Sequence, residues 1–571
     1  MSESAAMPVR RTSYPQVDPR ARGLMRPGLV VVPPDVTVAL AARLADRRGA
    51  RLVAARLGPE WGAVTRETLG RALALGLHRA PLRAVLWDVP VERPDASEVA
   101  VRRRLDPGHP FLLVGDRRRP EGVVFREPRA SAGLPLSLER ELDRLPRRVG
   151  EILTIAGARG DALGHPVAAV GGLVRDVLLD RVDARTDLDL VVEGRALTVA
   201  QAVARELGGK TVEHPVFLTA TVTLPDGGRI DFATARRESY RAAGALPVVE
   251  RAPLAEDLAR RDFSLNALAI RLDGRERGRL ADTTGGLDDL RARRIRVLHP
   301  LSFVEDPTRI LRASRFAARL GCRIDATTAR LASEAARLDV YRALSGDRLR
   351  TELELLLAEP RPVAALREAG RLGAWQLFGA SAAPGRGATR LLAAALAPRA
   401  LVELTPDTRV ALCLLALTEG SAAVERWMDH LSLAPGRRES IRSARRDAPR
   451  LVARLADVRE GSAAYGILGG MPELTLAWAR ALAGPSAGRR HLDRHLRSGR
   501  RIRPLATGDD VAALGVPPGP EVGEILKGLR AAQAGGHVRS RTGALRWLQG
   551  TVARGRGRGE AALTRPGKRG G

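Results

Sequence analysis

The chain has 571 residues and a formal net charge of +29, from 94 Lys and Arg against 65 Asp and Glu. That length points to roughly four domains at ~150 residues each, and 44% hydrophobic with 28% charged residues is ordinary globular composition. No apolar run reaches the ~18–20 residues that span a bilayer, and the opening MSESAAMPVRRTSYPQ lacks the apolar core of a signal peptide. Two cysteines, Cys322 and Cys413, exclude a disulfide framework and a zinc cluster. No membrane partner and a reducing, cytoplasmic setting are expected. None of the nine histidines precedes an Asp, which argues against a His-Asp metal phosphohydrolase.

The basic excess is uneven. Residues 1–150 hold 27 basic and 17 acidic residues, 151–330 hold 28 and 25, and 331–571 hold 39 and 23. Only Lys210, Lys527 and Lys568 are lysines. The C-terminal part therefore suits a polyanion, because basic surface gains affinity for phosphates by releasing counterions.

In chain order, residues 1–24 read as disordered. Residues 25–140 carry a repeat of period 60. Pro34-Asp35 recurs as Pro94-Asp95, and Gly62, Val64, Arg66 and Glu67 recur as Gly122, Val124, Arg126 and Glu127. Each half predicts a short strand, a Pro-Asp turn, an amphipathic helix and two strands. This layout resembles a tandem pair of cystathionine-β-synthase (CBS) domains. The resemblance implies an adenine nucleotide between the halves and leaves a homodimer open. Glu67 and Glu127 stand where that family has Asp, and Phe125 stands opposite Thr65, so a packing module that binds nothing is the alternative.

Residues 141–165 predict a helical linker. A small α/β unit follows over 166–290: a strand at His165–Val170, a helix through Leu179, a strand at 188–192, a helix at 196–207, and strands over 217–235 around the Pro225–Gly228 turn. Helices then follow one another, divided as a neck at 291–360 and a body at 361–502. A small tail domain spans 503–552, and a Gly/Arg-rich, disordered end spans 553–571.

The sharpest chemical signal is Asp187-Leu188-Asp189. Residues i and i+2 of a strand share a face. Two carboxylates so close are costly without a cation between them, and oxygen-only ligation suits Mg²⁺. Gly171-Gly172, sixteen residues upstream, ends a strand and opens a helix, where backbone N–H groups can approach a phosphate. Arg175 lies one turn further on. Asp231, on the strand at 229–233, supplies a third carboxylate, and three carboxylates beside a phosphate cradle compose a two-metal site.

Gly171-Gly172-Leu173-Val174-Arg175-Asp176 with Asp187-Leu188-Asp189 resembles motif A of class II tRNA nucleotidyltransferases and bacterial poly(A) polymerases, of the polymerase β superfamily. Further motifs follow in that family's order. Arg260-Arg261-Asp262-Phe263-Ser264-Leu265-Asn266-Ala267 is similar to the ribose and triphosphate motif. Asp282, Gly285-Gly286 and Arg294–Leu298 are similar to the hinge before the neck. Glu305-Asp306-Pro307-Thr308-Arg309-Ile310-Leu311-Arg312 resembles the segment that selects the nucleotide. Leu505–Gly523 resembles the family's tail. The implied architecture is multidomain: an α/β CBS-like pair, a polymerase β-type α/β nucleotidyltransferase head, then an all-α neck, body and tail.

The resemblance implies addition of CMP or AMP to the 3′ end of tRNA, as CCA or A addition, with Mg²⁺ as cofactor. Asp187, Asp189 and Asp231 are then the catalytic metal ligands. Gly171, Gly172, Arg175 and Arg261 hold the triphosphate or sugar, Asp262 takes the ribose hydroxyl, and Asn266 supports the site. Asp306 and Arg309, three apart on one helix face, read the base, and Arg312 and Arg315 help bind the incoming CTP or ATP. Helical body and tail hold the acceptor stem and elbow of tRNA. Residues 241–256 stand where the family has a mobile loop expected to influence ATP addition more than CTP addition. Poly(A) synthesis, or an RNA-binding, adenine-nucleotide-sensing protein without catalysis, is the alternative. His491 and His495 read as surface histidines rather than metal ligands.

Overall fold

The computed structural model describes residues 20–127, 136–184, 186–338, 340–341, 343–379, 385–397, 404–418, 420–499 and 502–563, with side chains as far as residue 554. The disorder expected for 1–19 and 564–571 lies outside the described residues. The chain divides into two compact units, residues 1–344 with 371–377, and residues 345–370 with 378–571.

The first unit opens with the repeat. Helix α1 (Ala21–Leu24) is followed by β1 (Leu29–Val31), α2 (Val38–Arg47), β2 (Leu52–Leu57), β3 (Glu60–Thr65), α3 (Arg66–Ala74) and β4 (Trp87–Val89). The second half has β5 (Val91–Glu92), α4 (Glu98–Arg104), β6 (Phe111–Asp116) and β7 (Arg119–Phe125). In both halves the first strand pairs parallel with the second, and the second antiparallel with the third. Helices α2, α3 and α4 each start at a Ser or Thr N-cap, Thr37, Thr65 and Ser97, whose hydroxyl accepts a backbone N–H of the first turn. The repeated glycines mark close packing: a Cβ at Gly62 would lie 2.6 Å from Leu57 Cδ1, and one at Gly122 2.3 Å from Met25 Cγ. No helix like α3 follows β7 as far as residue 127. Residues 21–26 belong to this layer rather than to a disordered end. Ala21 is buried against the Val101 side of α4, and Arg26 bridges Val123 of β7.

Next come α5 (Glu139–Asp143) and α6 (Arg147–Leu163). Helix α6 is more than the expected linker, because Val149, Ile152, Leu153 and Ala156 are core residues of the following sheet. That region comprises β8 (Val167–Val170), α7 (Gly172–Leu178), β9 (Leu188–Val192), α8 (Ala196–Leu207), β10 (Lys210–His214), β11 (Thr219–Thr223) and β12 (Arg229–Thr234). It continues through β13 (Arg236–Ser239), β14 (Val248–Arg251), α9 (Leu254–Ala259), β15 (Ala269–Arg271), β16 (Leu280–Ala281), α10 (Gly286–Arg291) and β17 (Arg294–Ile295). Seven strands form one sheet in the order β10-β11-β12-β9-β8-β15-β16. One face packs Leu188, Leu190, Ile230 and Phe232 on α6 and α8, and the other is partly covered by Leu254 and Leu258 of α9. Strands at 188–192 and 219–234 and the helix at 196–207 stand where the alternation placed them. Of the segment 241–256, residues 241–247 are a loop joining β13 to β14, which pair antiparallel, while Val248–Arg251 forms β14 and α9 begins at Leu254.

The neck has α11 (Ser302–Glu305), α12 (Arg309–Leu320), β18 (Arg323–Ile324) and α13 (Ala326–Ala336). The second unit starts with α14 (Gly346–Ala358), within the span expected for the neck. It is all helical: α15 (Pro362–Arg371), α16 (Arg386–Leu396), α17 (Pro406–Leu417), α18 (Ser421–His430), α19 (Pro435–Ala456), α20 (Gly461–Leu468), α21 (Glu473–Leu482), α22 (Ala487–Arg497), α23 (Gly508–Ala512), α24 (Pro520–Ala534) and α25 (Arg541–Leu563). Residues 506–552 have their own small core around Val511, Leu529, Ala544 and Leu548. Helix α25 continues to Leu563, past the position where disorder was expected to begin. Among the described residues, no helix is long and apolar enough to cross a membrane.

Candidate active site

The site grows from the sheet's alternation. Leu188 and Leu190 face the core, so Asp189, and Asp187 just before β9, face the other way. Strands β9 and β12 run parallel, with Asp189 directly opposite Asp231. Neighbouring strands lie ~4.8 Å apart, so the two carboxylates are adjacent on one face. Although the Asp189 side chain reaches solvent, its pKa is pushed up to about 6. Desolvation is the largest cause. The charges of Asp231 and Asp187 add to it, and the Arg261 guanidinium opposes it. Asp231 Oδ1 accepts from Thr221 Oγ1 at 2.5 Å and lies 3.5 Å from Arg229 Nη2. A cavity of about 300 Å³ opens beside Asp187, between Arg148, Asp226 and Arg229.

Beside the carboxylates the chain turns from β8 into α7 at Gly171, with φ 67° and ψ −125°. A Cβ there would lie 3.1 Å from Arg261 Nη1, and Asp189 Oδ2 is 4.0 Å from the same point. Arg261 donates from Nη2 to Asp257 Oδ2 at 2.9 Å, while its buried Nε has no hydrogen-bond partner. The Arg261 guanidinium thus stands against the Gly171-Gly172 turn through Nη1. Gly171→Ala is expected to cost about 1–3 kcal/mol in backbone strain. It should raise the KM for nucleotide while leaving that for RNA unchanged, as measured by steady-state kinetics and a thermal melt.

Arg175 does not point freely at that turn. It is buried, donates from Nε and Nη2 to the two oxygens of Asp176 at 2.9 Å each, and from Nη1 to Asn266 Oδ1 at 2.9 Å. Asn266 Nδ2 donates in turn to Asp262 Oδ1 at 3.1 Å, which also accepts from Phe263 N. Asp262 Oδ2 accepts from Arg312 Nε and Nη2 at 3.0 and 2.7 Å. One chain of bonds thus runs Asp176–Arg175–Asn266–Asp262–Arg312, from the glycine turn to α12. Burial alone would raise the Asp262 pKa, but the charge and hydrogen bonds of Arg312 and the Asn266 amide hold it below the usual carboxylate range. Both Asp262 oxygens are therefore engaged by protein donors, which makes it first of all an organiser.

On the neck, Asp306 does not share a helix with Arg309 as the spacing suggested: it is extended (φ −137°, ψ 95°) between α11 and α12, and its Oδ1 accepts from Thr308 N and Oγ1. Arg309 is buried, donating from Nη1 to Ser302 Oγ at 2.7 Å and from Nη2 to the Arg260 carbonyl at 3.0 Å. The guanidiniums of Arg175, Arg312 and Arg315 lie 5.7, 5.5 and 4.8 Å from the centre of the Phe316 ring. Such packing keeps cations concentrated on one apolar surface. The spacing-three arginines of α12 thus meet the glycine-turn motif at a single aromatic ring.

Two supporting residues escaped the sequence reading. Asp257 is fully buried and accepts from Arg260 Nη2 at 2.6 Å as well as from Arg261. Its place four residues before Arg261 is the signal that could have found it. Thr221 is legible only once β11 is paired opposite Asp231. Asp282 caps the start of α10, with Oδ1 accepting from Gly285 N and Gly286 N. His495 is buried against Tyr465 rather than on the surface, and His491 Nε2 lies 3.1 Å from the Val458 carbonyl. Among the described residues, no group of three His, Cys, Asp or Glu side chains is drawn together closely enough to hold a metal ion as it stands. The donor set nevertheless suits a hard divalent cation: it is all carboxylate, and its mutual repulsion at Asp189 is what such an ion would relieve.

Residues 167–296 match the Poly A polymerase head domain. An A-adding tRNA nucleotidyltransferase of Halalkalibacterium halodurans is 33% identical over 70% of this chain and 92% of its own length. The chain belongs to the class II tRNA nucleotidyltransferase family. Within the family, a CC-adding tRNA nucleotidyltransferase of Deinococcus radiodurans is 38% identical over 66% of this chain and 86% of its own. An A-adding relative from Geobacter sulfurreducens is 32% identical over 92% of this chain, which spans only 64% of that relative's length. The apo form II structure of a CCA-adding enzyme superposes with a TM-score of 0.61 at 29% identity, covering 73% of this chain and all of that one.

Proposed function

We propose that the chain is a template-independent RNA nucleotidyltransferase that adds CMP or AMP to the 3′ end of tRNA by phosphoryl transfer. The observation that carries the reading is the juxtaposition of Asp189 and Asp231 on adjacent strands with Arg261 beside Gly171, inside the segment that matches the head domain. Related structures include a Thermotoga maritima CCA-adding enzyme complexed with tRNA and CCA-adding enzymes with CTP and with ATP.

In the proposed reaction the RNA 3′-oxygen attacks the α-phosphorus of the nucleotide, the α–β phosphoanhydride bond breaks, and pyrophosphate leaves. Asp187, Asp189 and Asp231 are the residues that would hold divalent cations, Mg²⁺ by family resemblance. Such ions would lower the pKa of the attacking hydroxyl and stabilise the charge that develops on the departing oxygens. Arg261, with Gly171 and Gly172, binds the triphosphate. Arg175 and Asn266 fix Asp262, and Asp262 fixes Arg312. Arg309, locked by Ser302 and the Arg260 carbonyl, orients its donors toward the base together with Asp306, while Arg312 and Arg315 add positive charge for the nucleotide. The second unit and the tail hold the body of the tRNA, as their basic excess suits A-form RNA recognised by shape and backbone.

AMP addition alone is the finer reading. It is supported by the A-adding Geobacter relative, which aligns over 92% of the chain and hence across the N-terminal repeat, and by the A-adding Halalkalibacterium relative, which aligns over 70%. That repeat reads as a CBS-type pair, supported by the parallel-then-antiparallel pairing in both halves, with an adenine nucleotide as its ligand and a homodimer as one arrangement. Extension of a tRNA and of an unstructured RNA with ATP and Mg²⁺ tests the reading. Addition that stops at the completed tRNA end supports it. An open-ended tail on both RNAs would identify a poly(A) polymerase instead.

A further inference from the structure

Glu305 sits at the end of α11, immediately before Asp306, and is 5% exposed. Among the described residues two basic side chains reach its carboxylate. Arg71 Nη2, from α3 of the N-terminal repeat, donates to Oε1 at 2.5 Å, and His299 Nε2 lies 3.4 Å from Oε2. His299 is partly buried, its side chain 18% exposed, and its pKa is pushed down to about 4, chiefly by desolvation, so it is neutral near pH 7. The charge that compensates Glu305 therefore comes from a residue 234 positions earlier in the chain.

The repeat is fixed against the neck at other points too. Arg330 of α13 donates to Asp88 Oδ1 from Nε and Nη2 at 3.0 and 2.5 Å, and Thr327 Oγ1 donates to Asp88 Oδ2 at 2.9 Å. Arg83 Nε donates to Glu334 Oε2 at 3.2 Å. Arg71 is thus carried on an anchored module. The Glu305 carbonyl meanwhile accepts from Gly244 N, in the connection between β13 and β14, at 3.2 Å. The residue before Asp306 is held by its side chain from the N-terminal repeat and by its backbone from the head.

We propose that Arg71 is a positioning residue for nucleotide selection, acting through Glu305 on the Asp306–Arg309 segment. The inference rests on the reading of Asp306 and Arg309 as base-selecting residues. Without Arg71, a buried carboxylate loses its partner next to the residue that must keep a fixed orientation. Glu305 then shifts or takes up a proton, and the precision of base selection falls.

The test uses the full chain and two readouts: calorimetric titration with ATP and with CTP, and incorporation kinetics on tRNA. Arg71→Met is expected to weaken the preferred nucleotide by about five- to tenfold in both affinity and KM, narrowing the ATP-to-CTP ratio. The KM for tRNA and kcat should stay within twofold, and Arg71→Lys should recover most of the preference. Arg83→Met, a second interface arginine, should leave the ratio unchanged. Arg71→Met added to Glu305→Gln should have little further effect. An unchanged ratio in Arg71→Met, or an equal loss in Arg83→Met, overturns the proposal. A wild-type chain that binds nucleotide selectively yet never incorporates it refutes the enzymatic reading alone, and the binding ratios still decide the role of Arg71.

Discussion

Replacing Asp187 or Asp189 by alanine will reduce nucleotide incorporation by at least about 10³-fold, the effect of losing several kcal/mol of transition-state stabilisation. Binding of tRNA, measured by filter retention or anisotropy, will remain close to wild type, because the basic excess lies elsewhere in the chain. The Asp189 variant should also melt no lower than wild type. Its carboxylate sits beside those of Asp231 and Asp187, whose like charges help push its pKa up to about 6, so the native fold carries a charge it would rather lose. A site that sacrifices stability for chemistry behaves in this way. A lowered melting temperature together with lost activity would mean that Asp189 is structural. Retained turnover in either variant would remove the carboxylates from the mechanism.

The second large effect is on the fold. Asp262→Ala should cost about 3 kcal/mol, toward the lower end for removing one partner of a buried pair, since the Arg312 side chain is 30% exposed and keeps some hydration. Asp262→Asn should be nearly as harmful, because an amide N–H₂ would face either the Arg312 guanidinium or the Asn266 amide. Chemical denaturation with activity measured alongside checks both. Loss of stability with a raised nucleotide KM supports the organising role. Unchanged stability with lost discrimination between ATP and 2′-deoxy-ATP would make Asp262 a direct ribose contact instead.

The site was legible in the sequence wherever its residues are local. Asp187-Leu188-Asp189 announces its common face by spacing, Gly171-Gly172 its turn, and Arg309, Arg312 and Arg315 their shared helix. Strand β9 and helix α8 stand within the ranges that apolar alternation gave them. What escaped is non-local. Strand β10 is almost wholly exposed, and β15 and β16 are short, so none carries a strong alternation. Arg175 resembles a free phosphate ligand until the fold brings Asn266, 91 residues away, onto its Nη1. Helix α6 looks like a connector because its apolar stripe has no visible target until the sheet is assembled. The Arg71–Glu305 pair has no local signature at all.

The most direct measurement is incorporation of labelled CTP and ATP, separately and together with Mg²⁺, onto tRNAs ending before CCA, after C and after CC. The account predicts that ATP is joined once to the CC-ending tRNA and that addition then stops. Incorporation of both nucleotides up to CCA would keep the mechanism and replace A addition with full CCA synthesis. No incorporation on any of the three tRNAs would contradict the central claim.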